Sequence, residues 1–228
     1  MSAPPFRLFG ADHLIALGVT AVVAAGLCAV ARRDPRGAVA RATARGLASL
    51  LAAGVVAFVV LELRRGSLTP LQLLPLHLCD LLIPVAIVAL LSRRPLPFEL
   101  LYYWGGAGAL TATLTPMVAY GYPHAGFLVF FGFHGAVVAA AALLAFGLGM
   151  RPRAGAALRV WVLTLGYAAL VAAVNALLGT NYLFLRRKPP SPTLLDWFGP
   201  WPVYVGVAAL VALLLFGLLT LPFRRLHR

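Results

Sequence analysis

Charge is what this sequence has least of. Only 11% of its 228 residues are charged, against 62% hydrophobic, whereas a soluble globular domain carries about 25% charged residues. A soluble globular domain is therefore excluded. Acidic residues are scarcest, six Asp and Glu against nineteen Lys and Arg, and Lys188 is the single lysine. The resulting net charge of +13 sits in short segments between apolar runs, where basic residues set membrane orientation. Nucleic acid is not an expected partner. Cysteine is almost missing too. Cys28 lies deep in the first apolar run and Cys79 near the start of the third, so no disulfide between them is expected. No Cys-x-x-Cys pair or His-rich tract suggests a structural zinc, and neither metal nor cofactor is assigned. A strongly basic stretch ahead of the first apolar run is also missing, so that run is expected to be a retained helix, not a cleaved signal.

What the sequence does have is long apolar blocks. Mean hydropathy is +0.93, and the blocks approach the roughly 20 residues a helix needs to cross a bilayer. The expectation is an all-α, polytopic protein of the cell membrane, a bundle of seven transmembrane helices forming one integral membrane domain over residues 1–228. The spans fall at about 14–31, 47–63, 74–91, 98–118, 127–149, 156–178 and 201–221. Thirteen basic residues collect on one side, in the segment from Arg32 to Arg45, at Arg93 and Arg94, at Arg151, Arg153 and Arg159, and at Arg224, Arg225 and Arg228. Six fall on the other: Arg7, Arg64, Arg65, Arg186, Arg187 and Lys188. Basic residues favour the inner side, which predicts the N-terminus out and the C-terminus in.

That orientation sorts the polar side chains. His13, Glu62, His77, Cys79, Asp80, Thr115, Tyr120, His124, His134, Asn175, Asn181, Tyr182 and Asp196 all fall toward the outer side, while the inner half has little beyond Glu99. A site in the outer leaflet is expected.

The densest cluster is Leu74-Pro-Leu-His-Leu-Cys-Asp80. Pro75 suits the first turn of a helix, and His77 and Asp80, three apart, would share a helical face. Pro84 removes the amide that would bond the Asp80 carbonyl, which predicts a bend. A thiol near a helix N-terminus, as Cys79 is, feels the dipole and free amides that favour a thiolate; the competing reading is a small buried cysteine that only packs. Aspartate costs about 2.5–3.5 kcal/mol at the centre of a membrane helix, so Asp80 is expected to pair with His77 or with an arginine such as Arg64 or Arg65, or to support a site.

His134, in Phe-Phe-Gly-Phe-His-Gly, is the candidate general base, against an interhelical hydrogen bond as its structural role. Gly132 and Gly135 beside it leave room for a helix or an acyl chain. Gly105 and Ala109 form a small-x-x-x-small pair suited to close helix packing. His124 follows in a short uncharged loop after Thr115-Pro116. Arg186, Arg187 and Lys188 run against the charge trend, which suits either the phosphate of a lipid or a solvated loop. Asp196 with Trp197 and Trp201 reads as an interfacial belt ahead of the last span.

These residues carry a resemblance. Leu74–Asp80, Phe98-Glu-Leu-Leu-Tyr-Tyr-Trp-Gly105, Leu114-Thr-Pro116, Gly121-Tyr-Pro-His124, Phe133-His134-Gly135, Asn181-Tyr-Leu-Phe-Leu-Arg186 and Gly199-Pro-Trp201 together resemble the bacterial YwaF-type integral membrane proteins. These are similar to the eukaryotic transmembrane protein 164 family. The resemblance covers roughly Leu71 to Pro202. It implies an acyltransferase that remodels phospholipids through a cysteine and a downstream histidine, corresponding here to Cys79 and His134.

The expected function is then acyl transfer from an outer-leaflet phospholipid through a Cys79 thioester, with His134 relaying the proton and His77 and Asp80 in support. Thr115, Asn175 and Asn181 are candidate donors to the oxyanion, and His124 completes the supporting set. Membrane phospholipids are the expected partners. Water as acceptor would make the same site a lipase. Two other readings stand beside this one: a small transporter or ligand-binding membrane protein, and a metal-dependent lipid hydrolase using His77, Asp80, His124 and His134. The halves of the chain show no inverted repeat of the kind common in transporters. No helix carries the paired-histidine spacing of a strong metal motif.

Overall fold

The computed structural model describes residues 4–66, 71, 74–190 and 193–224. Arg225 and Arg228, counted above toward the basic inner side, lie outside the described residues. Among the described residues the chain is helical, with one isolated bridge between Pro5 and Tyr120. Helix α1 spans Ala11–Arg32, α2 Ala38–Arg65, α3 Leu78–Ser92 and α4 Pro95–Trp104. A π-helical turn, Gly105–Ala109, carries α4 into α5, Leu110–Leu114. Helix α6 runs over Ala125–Ala142 and ends in a second π turn, Leu143–Gly147; α7 is Ala156–Leu178 and α8 Val203–Arg224. Among the described residues, five helices are long and apolar enough to cross a membrane: α1, α2, α6 with its π turn, α7 and α8. Helix α3 is apolar but shorter.

The boundaries have local causes. Helix α2 starts nine residues before the apolar run, because Ala and Arg are strong helix formers and hydropathy alone does not mark that stretch. It stops at Gly66, whose left-handed backbone (φ 63°) lets its N–H donate to the carbonyls of Glu62 and Leu63, a helix ending that glycine favours. Helix α5 stops at Leu114, four residues short of the expected end. Pro116 disfavours a helical Thr115, which takes φ −132° and ψ 67°. Helix α3 begins only at Leu78, so Pro75 lies outside it and His77 does not share a helical face with Asp80. Pro84 does fall inside the helix.

The chain packs as two compact units, one of residues 1–75 with 79–151 and one of residues 76–78 with 152–228. In the first, α1 and α6 run parallel and in contact along most of their length. His13 meets Phe131 with ring centroids 5.6 Å apart. Further along, a Cβ at Gly135 would sit 2.7 Å from Thr20 Oγ1, and one at Gly147 would sit 3.2 Å from the Cα of Cys28. Glycine at both places is what lets the backbones approach, the device by which membrane helices pack when burial of apolar surface offers no drive. Gly105, in the first π turn, packs against α6 without that constraint: a Cβ there would meet Ala141 and Val137 at 3.5 and 3.7 Å, ordinary contact distances. The second π turn leaves the Phe146 carbonyl to accept from Arg32 Nε at 2.8 Å.

His13 ties the same unit at its other end. Its Nδ1 accepts from the Phe9 N–H at 2.9 Å, and its Nε2 lies 2.8 Å from the Thr113 carbonyl. A carbonyl only accepts, so Nε2 carries the proton. That carbonyl has lost its helical donor because α5 ends at Leu114, and a buried helix terminus needs another partner. The N-terminal segment is strapped to the α5–α6 loop by Phe6 N–H to Ala119 O (3.0 Å), Gly121 N–H to Pro4 O (2.8 Å) and Tyr122 N–H to Asp12 Oδ2 (3.1 Å).

In the second unit α7 and α8 pack together, and Trp161 Nε1 donates to the Ala209 carbonyl at 2.8 Å. Tyr167 donates to the Leu76 carbonyl at 3.0 Å and Leu183 N–H to His77 Nδ1 at 3.4 Å. These bonds hold Leu76 and His77 outside a helix.

Filling the α1–α6 contact should be costly. Gly147→Val is expected to lower stability by about 1–3 kcal/mol, the usual cost of overpacking, read as an earlier thermal transition in detergent. Gly18→Ala, where a Cβ meets nothing within 4 Å, should leave the transition unchanged or slightly raised. Equal losses in the two variants would refute the packing role.

Candidate functional site

The first unit contains a cavity of about 970 Å³, at the upper end of the roughly 300–1,000 Å³ of small-molecule sites. Its walls come from α2, the start of α3, the Met117–Tyr120 segment and α6. Most of the lining is apolar: Val55, Phe58, Ile83, Phe130 and Phe133 among others. Into it come Cys79, Asp80, Tyr120, His124 and His134, residues separated by as many as 55 positions in the chain. The first π turn contributes Ala109 to the wall; such turns recur at functional sites.

Each polar group is held in a definite way. Cys79 is the second residue of α3, half-buried and free of any disulfide. Asp80 follows it, exposed to the cavity, and its charge is within electrostatic reach of both the Cys79 thiol and the His134 ring. His134 stacks on Phe130 with centroids 4.1 Å apart, and its Nδ1 lies 2.8 Å from the Phe130 carbonyl. Since that carbonyl can only accept, the proton is on Nδ1 and Nε2 presents its lone pair. His124 has the opposite arrangement. It caps the N-terminus of α6, its Nδ1 accepting from the Gly126 N–H at 3.1 Å, so in the neutral ring Nε2 carries the proton. Tyr120 stacks on His124 at 4.7 Å. The cavity therefore holds one thiol, one carboxylate, one imidazole that accepts and one that donates.

The other expected site residues are used differently. Thr115 returns its hydroxyl to the Thr111 carbonyl at 3.0 Å and does not line the cavity. His77 belongs to the second unit, against Tyr182 and Phe184 with centroids 5.4 and 5.5 Å away. Asn175 is fully buried. Its Nδ2 donates to the Tyr182 carbonyl at 2.9 Å, and its Oδ1 accepts from Thr180 Oγ1 and the Tyr182 N–H, both at 2.8 Å. Asn181 Oδ1 accepts from the Arg186 and Arg187 N–H groups, and its Nδ2 donates to the Arg187 carbonyl. Both asparagines fold a loop. That loop places Leu183 and Phe184 at φ 57° and 54°, a strained conformation for residues with a Cβ. Arg186 Nη1 donates to the Asn175 carbonyl at 3.1 Å, and Lys188 pairs with Asp196 at 3.6 Å. Arg186 and Arg187 are exposed, as are Trp197 and Trp201.

Among the described residues, no three His, Cys, Asp or Glu side chains converge as a metal site would require. Of the four residues a metal-dependent hydrolase would use, Asp80, His124 and His134 share the cavity, and His77 is grouped with the other unit. Sequence reasoning missed the α2 wall. Val55 and Phe58 carry no chemical signal, and nothing in an apolar run marks which side faces a cavity and which faces lipid.

Residues 8–220 match the TMEM164 family. The chain belongs to that family. It is a multi-pass membrane protein, and the resemblance read from the scattered motifs is the family relationship found over nearly the whole chain. No curated protein and no solved structure matches.

The loop assignment of Asn175 is testable. Asn175→Ala leaves a buried N–H and carbonyl of Tyr182 without their partner, at about 1–3 kcal/mol for each unsatisfied group. Trypsin should then cut after Arg186 or Arg187 faster than it does in the parent protein. Unchanged resistance would show that the asparagine is not what holds the loop.

Proposed function

We propose that this TMEM164-family protein is a membrane-embedded acyltransferase that takes an acyl group from a phospholipid of the outer leaflet onto Cys79. The observation that carries the reading is the meeting of Cys79 and His134 on one apolar cavity, with the His134 lone pair on Nε2. In the first half-reaction Cys79 Sγ attacks the ester carbonyl and its proton passes to His134 Nε2. The tetrahedral intermediate collapses with cleavage of the bond to the glycerol oxygen, which takes the proton from His134 and leaves as a lysolipid. In the second, an acceptor hydroxyl gives its proton to His134, attacks the thioester and releases the thiol, reprotonated by His134. The oxyanion needs a donor facing the same cavity. His124 Nε2–H meets that requirement better than Thr115, Asn175 or Asn181, whose polar atoms are engaged elsewhere. Asp80 steadies the imidazolium that forms on His134.

The reading includes seven crossings in one membrane domain of the cell membrane, with the N-terminus out. Five long apolar helices, the apolar α3 and the continuous rod over residues 95–114 support the count. The bonds between residues 4–12 and the α5–α6 loop support placing the start of α1 and the start of α6 on one side. Arg186 and Arg187 are exposed cations on the Asn181 loop that could also meet lipid phosphate.

The test uses purified protein in lipid nanodiscs with an acyl-labelled phospholipid and an unlabelled lysolipid. A hydroxylamine-sensitive label on Cys79 and label transfer to the lysolipid are expected. Cys79→Ala should abolish both, and His134→Gln should slow transfer by about 10²–10⁴-fold, the usual worth of a general acid–base. Turnover that survives Cys79→Ala would end the cysteine mechanism.

A further inference from the structure

A second, smaller cavity of about 350 Å³ lies between α2 and α6 of the same unit. Glu62 and Arg65 from the last turns of α2, with Ala125 from the start of α6, form one end. Leu50 and Ala136 form the other. From Ala125 to Ala136, at about 1.5 Å of rise per residue, the groove is roughly 16 Å long. It is charged at its mouth and apolar along its floor. Arg65 Nη1 donates to Glu62 Oε1 at 2.9 Å, which uses one N–H of a guanidinium fork suited to phosphate.

The groove adjoins the main cavity. Phe58, Val129 and Phe133 line both, and the Phe58 and Phe133 rings meet edge to face at 6.4 Å. Two glycines shape it in different ways. A Cβ at Gly54 would come within 3.1 Å of the Phe133 ring, so glycine there lets that ring lie across the boundary. A Cβ at Gly132 would meet nothing within 4 Å; its side of α6 is open to the groove.

We propose that this groove is the lysolipid site: it holds the acyl chain that stays on glycerol, with the lipid phosphate at Arg65. The identity of that chain rests on the acyl-transfer reading. The transferred acyl group attached to Cys79 occupies the main cavity, and a separate groove keeps the chain of the departing or arriving lysolipid apart from it, yet within reach of the thioester. A groove that shares the Phe58–Phe133 wall and ends in a cation meets both needs. The same groove can serve both half-reactions, since the lysolipid that leaves and the one that enters each carry one remaining chain and a phosphate.

The experiment uses the full chain in nanodiscs with a lysophospholipid bearing a diazirine on its acyl chain, in both the parent protein and Cys79→Ala. Photolabelling is expected within residues 50–61 and 125–136 in both proteins. Gly132→Leu puts a good helix former into open space, and should cut that labelling by at least about tenfold, the scale of a steric misfit in an apolar pocket. Arg65→Gln should weaken labelling by the lysophospholipid and not by a monoacylglycerol bearing the same diazirine. Label that maps elsewhere, or is indifferent to Gly132→Leu in a protein whose thermal transition is unchanged, overturns the site. Equal response of the two probes to Arg65→Gln overturns the phosphate assignment, and this variant decides the matter if Gly132→Leu does not fold. Groove labelling without any adduct at Cys79 would overturn acyl transfer and still support the groove.

Discussion

Inside a bilayer no water is available to satisfy a polar group, and each one left without a partner costs several kcal/mol. This constraint divides the polar side chains of this protein into two groups. Most of the buried ones are spent on the fold: His13 on Phe9 and Thr113, Asn175 on Thr180 and Tyr182. A smaller set, Cys79, Asp80, His124 and His134, faces a shared cavity instead. Within that set each histidine has one nitrogen bound to backbone and so keeps a defined tautomer. The backbone bonds that remove freedom from the rings are also what assign one to accept a proton and the other to donate one.

The cavity exists because of how α6 is held. Close approach at Gly135 and Gly147 draws one face of α6 onto α1, and Val137 and Ala141 pack against the π turn at Gly105. The side that remains carries His134, Phe130 and Phe133 to the cavity and Gly132 to the groove beside it. A tightly packed face and an open face on one helix follow from small residues placed on different sides of it. Composition alone would count all of these glycines as equivalent.

Much of this was legible in the sequence, and the exceptions have physical reasons. The apolar runs marked the helices to within a few residues, except where Ala and Arg extended α2 past the hydropathy signal and Pro116 cut α5 short. The sorting of polar residues toward one side put Cys79, Asp80, His124 and His134 among the candidates, and all four line one cavity. The role of His77 was not legible, since it depends on Tyr167 and Leu183, about 90 to 106 residues away, which hold Leu76 and His77 out of the helix. Asn175 and Asn181 misled for another reason. An amide that donates to an oxyanion and one that folds its own loop are the same residue in the sequence; only the positions of the Tyr182 and Arg187 backbones separate them.

On the acyl-transfer reading, the shared aromatic wall between the two cavities bears on how one half-buried thiol can serve two lipid chains. Acyl transfer between lipids requires two chains to be near one carbonyl carbon at once, and water to be kept from the thioester between the half-reactions. A single wide cavity would satisfy the first requirement and fail the second, because an empty half would be free to admit water. Two chain-sized spaces that meet at the Phe58–Phe133 pair satisfy both, since either can be filled while the other exchanges its occupant. On this view the apolar lining is part of the chemistry: it decides whether the acyl group reaches a lipid hydroxyl or water, a choice that the Cys79 and His134 pair cannot make by itself.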